Sequence, residues 1–371
     1  MKVLYIGHYR EGSGWSNATI NTILAMDKAG IDVVCQNLQL NKNNVNNDIP
    51  KKIKELESKP LCNFTHCIQN VLPHHLTASK LFDKNIAYYY SESIHTKANM
   101  WHSYLNMMDE VWVPNQDMVK CNTTYITKPI RVVPFAFDLD KYKTDRRKIN
   151  FGIDNPKFKF YYICDLNDRK NLKSIIKCYY HTFTKMDQVV FIIKVKKYGM
   201  QQDKLENYCR HMCKQVQEEM RTHNARNYYP DIRFITSTTD DDFIQSLHNS
   251  CDCLINASLG EAWSIPSFEA MCYGNTPICS NEGGPKEFID HVSTGFLIDG
   301  SYRICNQQDG AFQHLFTGSE FWFQPDEMKI CNAMNYYFEN TNDIDRKAGM
   351  RHAEDYSLYN VGTKIKEYLD G

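Results

Sequence analysis

The sequence predicts an α/β chain of two doubly wound domains in tandem. Short apolar, β-rich runs alternate with helical stretches, they fall into two series of six, and a charged stretch without apolar periodicity separates the series. The first series is Val3 to Ile6, Val33 to Gln36, Thr65 to Gln69, Ile86 to Tyr90, Val111 to Pro114 and Val132 to Pro134. The second is Phe158 to Cys164, Val189 to Val195, Ile232 to Ile235, Cys253 to Asn256, Pro277 to Cys279 and Phe296 to Ile298. Such recurrence reads as parallel sheets wound by crossover helices. Between the series, Asp138 to Asn155 reads as a linker. This gives a first domain over 1–145 and a second over 146–355, with a closing helix at about 356–371 free to pack back on either. The length agrees: 371 residues is roughly two allotments of ~150.

Helix punctuation follows the same partition. Ser16 or Asn17 is placed to cap a helix with apolar positions Ile20, Ile23 and Leu24, and Gly30 is its expected stop. The run Asn41 to Asn47 buries too little apolar surface to pack and reads as a surface loop. The closing helix, Tyr356 to Leu369, carries Tyr359, Val361, Ile365 and Leu369 at helical spacing.

Composition excludes several classes. Lys plus Arg total 43 against 44 for Asp plus Glu, so nothing in the bulk charge signals a nucleic-acid binder, and an anion site must be local. No apolar run approaches the ~18 residues of a membrane span, and the opening run breaks at His8, too soon for a signal-peptide core. The expectation is a cytoplasmic protein with at most peripheral membrane contact. Lys51 to Lys54 could touch anionic lipid, although a solvated helix face explains it as well. The 14 cysteines are scattered without a paired Cys-x-x-Cys framework, and Cys209, His211 and Cys213 lack a second ligand pair, so reduced core thiols are expected.

Two segments carry candidate chemistry. The turn Gly7 to Trp15 delivers Gly12 and Gly14 into a helix start, where glycine lets backbone approach a ligand and free N–H groups face a phosphate. A glycine turn needed only for tight packing is the alternative. A dinucleotide oxidoreductase would need a third glycine where Asn17 stands and an acid where Gln36 and Asn37 stand. The second segment is Gly260 to Met271, continuing through Gly274 to Ser280 and Glu282-Gly283-Gly284-Pro285. Pro266 suits a first helical turn, which puts Glu261 in the loop before it and Glu269 about one turn inside, both addressing one cleft. Paired carboxylates suit vicinal sugar hydroxyls. Two solvated glutamates are the bland alternative.

This second segment resembles the nucleotide-sugar signature of family-4 retaining glycosyltransferases with the GT-B fold. Val132 to Asp138, Asp290 to Ile298 and Ile163 to Leu172 agree in the same order, so the resemblance spans nearly the whole chain. Ala262-Trp263-Ser264 replaces the family's usual Gly-Phe-Gly, and Asp165 stands where the family has a phosphate-binding arginine; Lys170 matches its lysine, and Arg169 is placed to compensate. The resemblance implies two Rossmann-like domains facing each other across a cleft and transfer of a hexose, with retention, from a UDP- or GDP-linked sugar to a glycan, lipid-linked or other hydroxyl acceptor. It implies catalytic roles for Glu261, Lys170 and Arg169 and donor contacts from Arg169, Lys170, Glu261, Trp263, Ser264, Ile265 and Glu269; the glycine turn adds Gly12 and Gly14 as donor contacts, and the loop after the fourth strand adds His95 as a catalytic candidate.

On the acceptor side, the loop Tyr90 to Thr96 follows a strand, so Glu92 and His95, together with His8, are candidates there. No metal or other cofactor is expected, because Arg169, Lys170 and helix-terminal N–H groups can stabilise a leaving diphosphate. Asp138-Leu139-Asp140 mimics the metal-holding D-x-D of another transferase fold but falls in the linker, and Asp240 to Asp242 reads as a helix cap. A nucleotide-sugar-binding protein without catalysis and a nucleotide-sugar epimerase remain as alternatives.

Overall fold

The computed structural model describes residues 1–40, 46, 48–94, 100–144, 146–152, 158–220, 228–305 and 317–371. The chain forms two compact units, Met1–Lys141 with Ala353–Gly371, and Tyr142–His352.

In the first unit β1 (Lys2–Gly7), β2 (Asp32–Asn37), β3 (His66–Asn70), β4 (Lys84–Tyr88), β5 (Glu110–Val113) and β6 (Ile130–Val132) form one parallel sheet in the order β2-β1-β3-β4-β5-β6. The strands are apolar on both faces because helices cover both, which is why they read as continuous hydrophobic runs. The helices are α1 (Gly14–Lys28), α2 (Lys51–Glu57), α3 (Trp101–Leu105) and α4 (Gln116–Asn122). Ser13, not Ser16 or Asn17, caps α1: its side chain accepts from Ser16 N while Ser16 reciprocates as the third helical residue. The cap sits earlier because left-handed Gly12, φ 64°, turns the chain sooner than the apolar spacing suggests. Of the polar run 41–47, only Asn46 lies within the described residues, where its N–H reaches Arg10 O at 2.8 Å.

The second unit holds β7 (Phe158–Asp165), β8 (Val189–Lys196), β9 (Asp231–Ile235), β10 (Cys253–Asn256), β11 (Ile278–Ser280) and β12 (Phe296–Ile298), parallel in the order β12-β11-β10-β7-β8-β9. A hairpin, β13 (Gly300–Ile304) with β14 (Phe321–Pro325), adds an antiparallel pair absent from the sequence expectation. The helices are α5 (Leu172–Thr182), α6 (Gln202–Glu219), α7 (Asp241–Ser250), α8 (Ile265–Cys272), α9 (Pro285–Phe288), α10 (Glu327–Glu339) and α11 (Ala348–Ala353). Asp240 caps α7 by accepting from Phe243 N at 2.8 Å. On α6, Cys209 and Cys213 enter the core beneath β7 and β8 while His211 is exposed, so the three side chains do not converge.

The closing helix α12 (Leu358–Asp370) belongs to the first unit and buries Leu358, Val361, Ile365 and Leu369 in the core shared with α1 and β1. Tyr359, expected on that stripe, is exposed at 59% because Leu358 takes its place. Helix α12 reaches α1 by close approach at Gly362, where an added Cβ would lie 2.0 Å from Ala25 O. Gly362→Val should therefore lower stability by about 1–3 kcal/mol through overpacking. A urea midpoint equal to wild type would show that the two helices can separate without cost.

The stretch expected to be a linker is partly anchored. Leu139–Tyr142 forms a short 3-10 helix with Leu139 and Tyr142 buried, since these two apolar side chains interrupt the charges. The two units divide at Lys141 and Tyr142.

Candidate functional site

In the second unit the chain order places β7 and β10 side by side at the point where the sheet reverses direction, the position at which doubly wound sheets offer a crevice. Both strands end there in polar loops. After β7, the single 3-10 turn Asp168–Lys170 is capped by the Asn167 side chain, and left-handed Asn171, φ 54°, redirects the chain into α5. Tyr162 Oη donates to Lys170 O at 2.8 Å and Leu259 N–H to Arg169 O at 2.7 Å, tying this turn to the loop after β10.

That loop carries Glu261. Lys170 Nζ donates to Glu261 Oε1, and Arg169 Nη1 lies 3.6 Å from Oε2 while donating to Gly260 O at 2.7 Å. All three side chains are nearly enclosed, with 16% of Lys170, 9% of Arg169 and 10% of Glu261 exposed. Burial works against charge on Glu261, but the fields of Lys170 and Arg169 and the hydrogen bond from Lys170 outweigh it and hold the carboxyl below its ordinary value. Arg169 is thus committed to Gly260 and Glu261, whereas the sequence offered it as an open fork for phosphate. Asp165, at the end of β7, is more than half exposed beside Lys196, 3.6 Å away.

Beneath Glu261 lies a hydrogen-bonded bed that the sequence reading missed. Asn256 Nδ2 donates to Ser264 and, at 3.3 Å, to Ser267; its Oδ1 accepts from Tyr162 at 3.1 Å and from Ser258. In the sequence Asn256 only closes an apolar strand run, and nothing there points to this use. Ser264 takes a left-handed backbone, φ 72°, and makes no side-chain cap to α8. Pro266 has no N–H to give, and among the described residues the N–H of Ile265 has no partner, leaving one orphan donor at the start of α8.

Trp263 is 1% exposed and packs on Phe288 and Phe268, with ring centroids 5.6 and 6.4 Å away. Its bulk fills the core rather than a ligand pocket. Glu269 is also inside, 7% exposed. It accepts from Tyr142 Oη at 3.2 Å and Gln245 Nε2 at 3.1 Å, and His248 Nε2 lies 3.4 Å from its second oxygen. The two carboxylates therefore occupy different surroundings, not the single open cleft expected from their spacing. On the α5 and α6 side of the same loop, Asn167, Lys173, Lys197, Tyr208 and Arg303 border a cavity of about 310 Å³ that neither Lys170 nor Glu261 lines.

In the first unit His8 follows β1 and is fully buried. Its Nδ1 donates to Leu38 O at 2.6 Å, which leaves Nε2 as the lone-pair nitrogen, and Nε2 has no partner among the described residues. Burial lowers its pKa, with His75 adding to the effect and the Leu38 bond opposing it. Trp15 packs edge-on against the imidazole at 5.1 Å and His75 at 6.3 Å. Gly12 and Gly14 flank the Ser13 cap, both exposed, and Glu92 is half-buried. His95 lies outside the described residues.

Comparison with known proteins follows this geometry. The family model for glycosyl transferases group 1 matches residues 143–304, the stretch that holds Arg169, Lys170, Glu261 and Glu269. The match agrees with the resemblance to family-4 glycosyltransferases read from the motifs, and the GT-B fold expected from it is shared by solved structures. The chain is 14% identical to HepE of Anabaena in complex with UDP-glucose, at a TM-score of 0.65, covering 100% of this chain and 99% of that one. Sucrose-phosphate synthase of Thermosynechococcus elongatus gives 12% identity and a TM-score of 0.67, over 100% and 98% of the two chains. A curated relative, the alpha-1,3/1,6-mannosyltransferase ALG2 of Homo sapiens, is 40% identical over 68 residues, 18% of this chain and 16% of that protein's length. No helix among the described residues is long and apolar enough to cross a membrane.

Proposed function

We propose that the protein is a retaining hexosyltransferase that uses a UDP- or GDP-linked sugar and a hydroxyl acceptor on a glycan or lipid-linked chain, without metal. The observation that carries this reading is the enclosed Lys170–Glu261 ion pair with Arg169 beside it, at the crevice of a parallel sheet and next to the orphan N–H of Ile265. That arrangement suits a diphosphate entering on the cationic side. Its charge competes for Lys170, which frees Glu261 to accept from hexose hydroxyls. The bond from the anomeric carbon to the diphosphate then breaks, Lys170 and the helix terminus stabilise the oxygen that leaves, and the acceptor oxygen bonds to the same face. A departing phosphate oxygen takes the acceptor proton, so no side-chain base is needed. Glu269 meets the ribose by exchanging the hydroxyl of Tyr142 or the amide of Gln245 for a sugar hydroxyl. His8 Nε2, with Glu92 and His95, serves the acceptor. HepE with UDP-glucose supports a uridine donor, and the mannosyltransferase relative supports a hexose.

The test is thermal stabilisation by UDP-, GDP- and ADP-sugars, followed by product analysis. A true donor at 100 times its dissociation constant should stabilise the fold by about 2.7 kcal/mol. Glu269→Gln should then weaken nucleotide binding, while Glu261→Gln should chiefly lower kcat. Equal and negligible effects of the two would sink the assignment. Binding without transfer to any acceptor would favour a non-catalytic nucleotide-sugar receptor, and conversion of the donor sugar alone an epimerase.

A further inference from the structure

Strand β8 contains a lysine that neither the motifs nor the family match assigns. Lys194 is 6% exposed, and among the described residues its ammonium makes no hydrogen bond or ion pair. A lysine whose stem is buried and whose ammonium has no protein partner favours an anion as its partner. Alternation along β8 puts Val190, Ile192 and Lys194 on one face, where Val190 and Ile192 pack with Leu247 of α7 and Ala270 of α8. This is the face that also carries Glu269. Lys194 stands in register between Ile163 of β7 and Ile235 of β9, both packed on the same cluster, so apolar neighbours hold its stem near the C-terminal edge of the sheet.

The charges at that edge make the lysine informative. In the unliganded chain Lys170 is paired with Glu261, and Arg169 lies against Gly260 and Glu261, so the Glu261 carboxylate offsets part of their positive charge. On the same face of β7, one strand period beyond Ile163, Asp165 adds a negative charge. A diphosphate placed there would meet too little positive charge from the β7 turn alone. We propose that Lys194 is a binding residue for the diphosphate of the nucleotide donor, supplying from β8 the cation that β7 lacks. This rests on the nucleotide-sugar reading and adds to it a residue and a phosphate contact.

Burial lowers the pKa of Lys194, Lys196 lowers it further, and Asp165 and Cys164 oppose them. Burial and Lys196 together thus disfavour the charged form in the unliganded protein, and a bound anion would favour it.

The experiment measures dissociation constants for UDP, GDP, ADP and inorganic pyrophosphate by calorimetry, with melting of the unliganded proteins alongside, for wild type, Lys194→Met and Lys194→Arg. Lys194→Met should bind its nucleotide at least about tenfold more weakly, the scale of one lost charge-assisted hydrogen bond, while Lys194→Arg stays close to wild type. Unliganded Lys194→Met should melt at or above the wild-type temperature, since it removes a buried unpaired charge; a structural lysine would lower it. Should the Met variant not fold, Lys194→Gln carries the same readout. Unchanged nucleotide affinity in a folded, uncharged variant overturns the role of Lys194 and leaves the transferase reading standing. Failure of wild type to bind any of the four probes overturns both.

Discussion

Replacing Lys170 with methionine is expected to abolish transfer and to cost about 3–5 kcal/mol of stability, the usual penalty for stripping one partner from an enclosed ion pair. Glu261 would remain with 10% of its side chain exposed and only Arg169, at 3.6 Å, to offset burial. The sign of the pH dependence separates this from simple loss of packing. In wild type the Glu261 carboxyl titrates below its ordinary value. Its contribution is therefore fully present above the unfolded pKa of about 4.3 and is lost as pH falls through the folded value. In the variant, burial pushes the carboxyl upward, so the destabilisation grows as pH rises from the unfolded value towards neutrality. Urea midpoints between pH 4 and 8 should rise with pH in wild type relative to the variant. Adding Glu261→Gln to Lys170→Met should recover much of the loss, because no charge is then left stranded. A variant with the wild-type midpoint and pH profile would mean that the pair is solvated and contributes nothing.

The strands were legible because a parallel sheet covered on both faces demands continuous apolar runs, and each of the twelve runs in the sequence overlaps an observed strand. The β13–β14 hairpin was not legible for the converse reason. Four of the five residues of β13 are exposed, so it carries no apolar signature. In the candidate site the residue types were legible, but their partners were not. Glu261 stood out by its spacing from Glu269, and Lys170 through a resemblance. The enclosure of Glu269 depends on Tyr142, 127 positions away in a run dominated by charge, which no local pattern reveals. Trp263 was legible as a bulky side chain but not as a core one, because its partners Phe268 and Phe288 close over it only in the folded packing. Lys194 was hidden inside an apolar strand, where a single charge resembles an edge residue until its burial is known.

Gly284→Ala should be strongly damaging to the second unit, at about 3 kcal/mol or more. The glycine is not required for its angles, since its φ of −57° suits any residue. It is required for proximity. An added Cβ would lie 2.1 Å from Trp263 Cα and 2.6 Å from Trp263 O, and at neighbouring Gly283, φ 69°, the Cβ would be 2.2 Å from Glu261 O. These obstacles are backbone atoms, so no rotamer change relieves them. Nor can the opposing turn withdraw, because Trp263 is wedged against Phe288 and Phe268. The turn that would have to move carries Glu261, so any soluble Gly284→Ala protein should also bind donor weakly. Gly30→Ala is the control: nothing lies within 4 Å of its Cβ, and only the left-handed angle of 78° opposes it, at about 1–2 kcal/mol. Equal urea midpoints for the two variants would show that the turn yields, and that the Gly283-Gly284 contact does not fix the position of Glu261. A deficit confined to Gly284→Ala, with weakened donor binding, would tie the two glycines to the carboxylate through backbone contact alone.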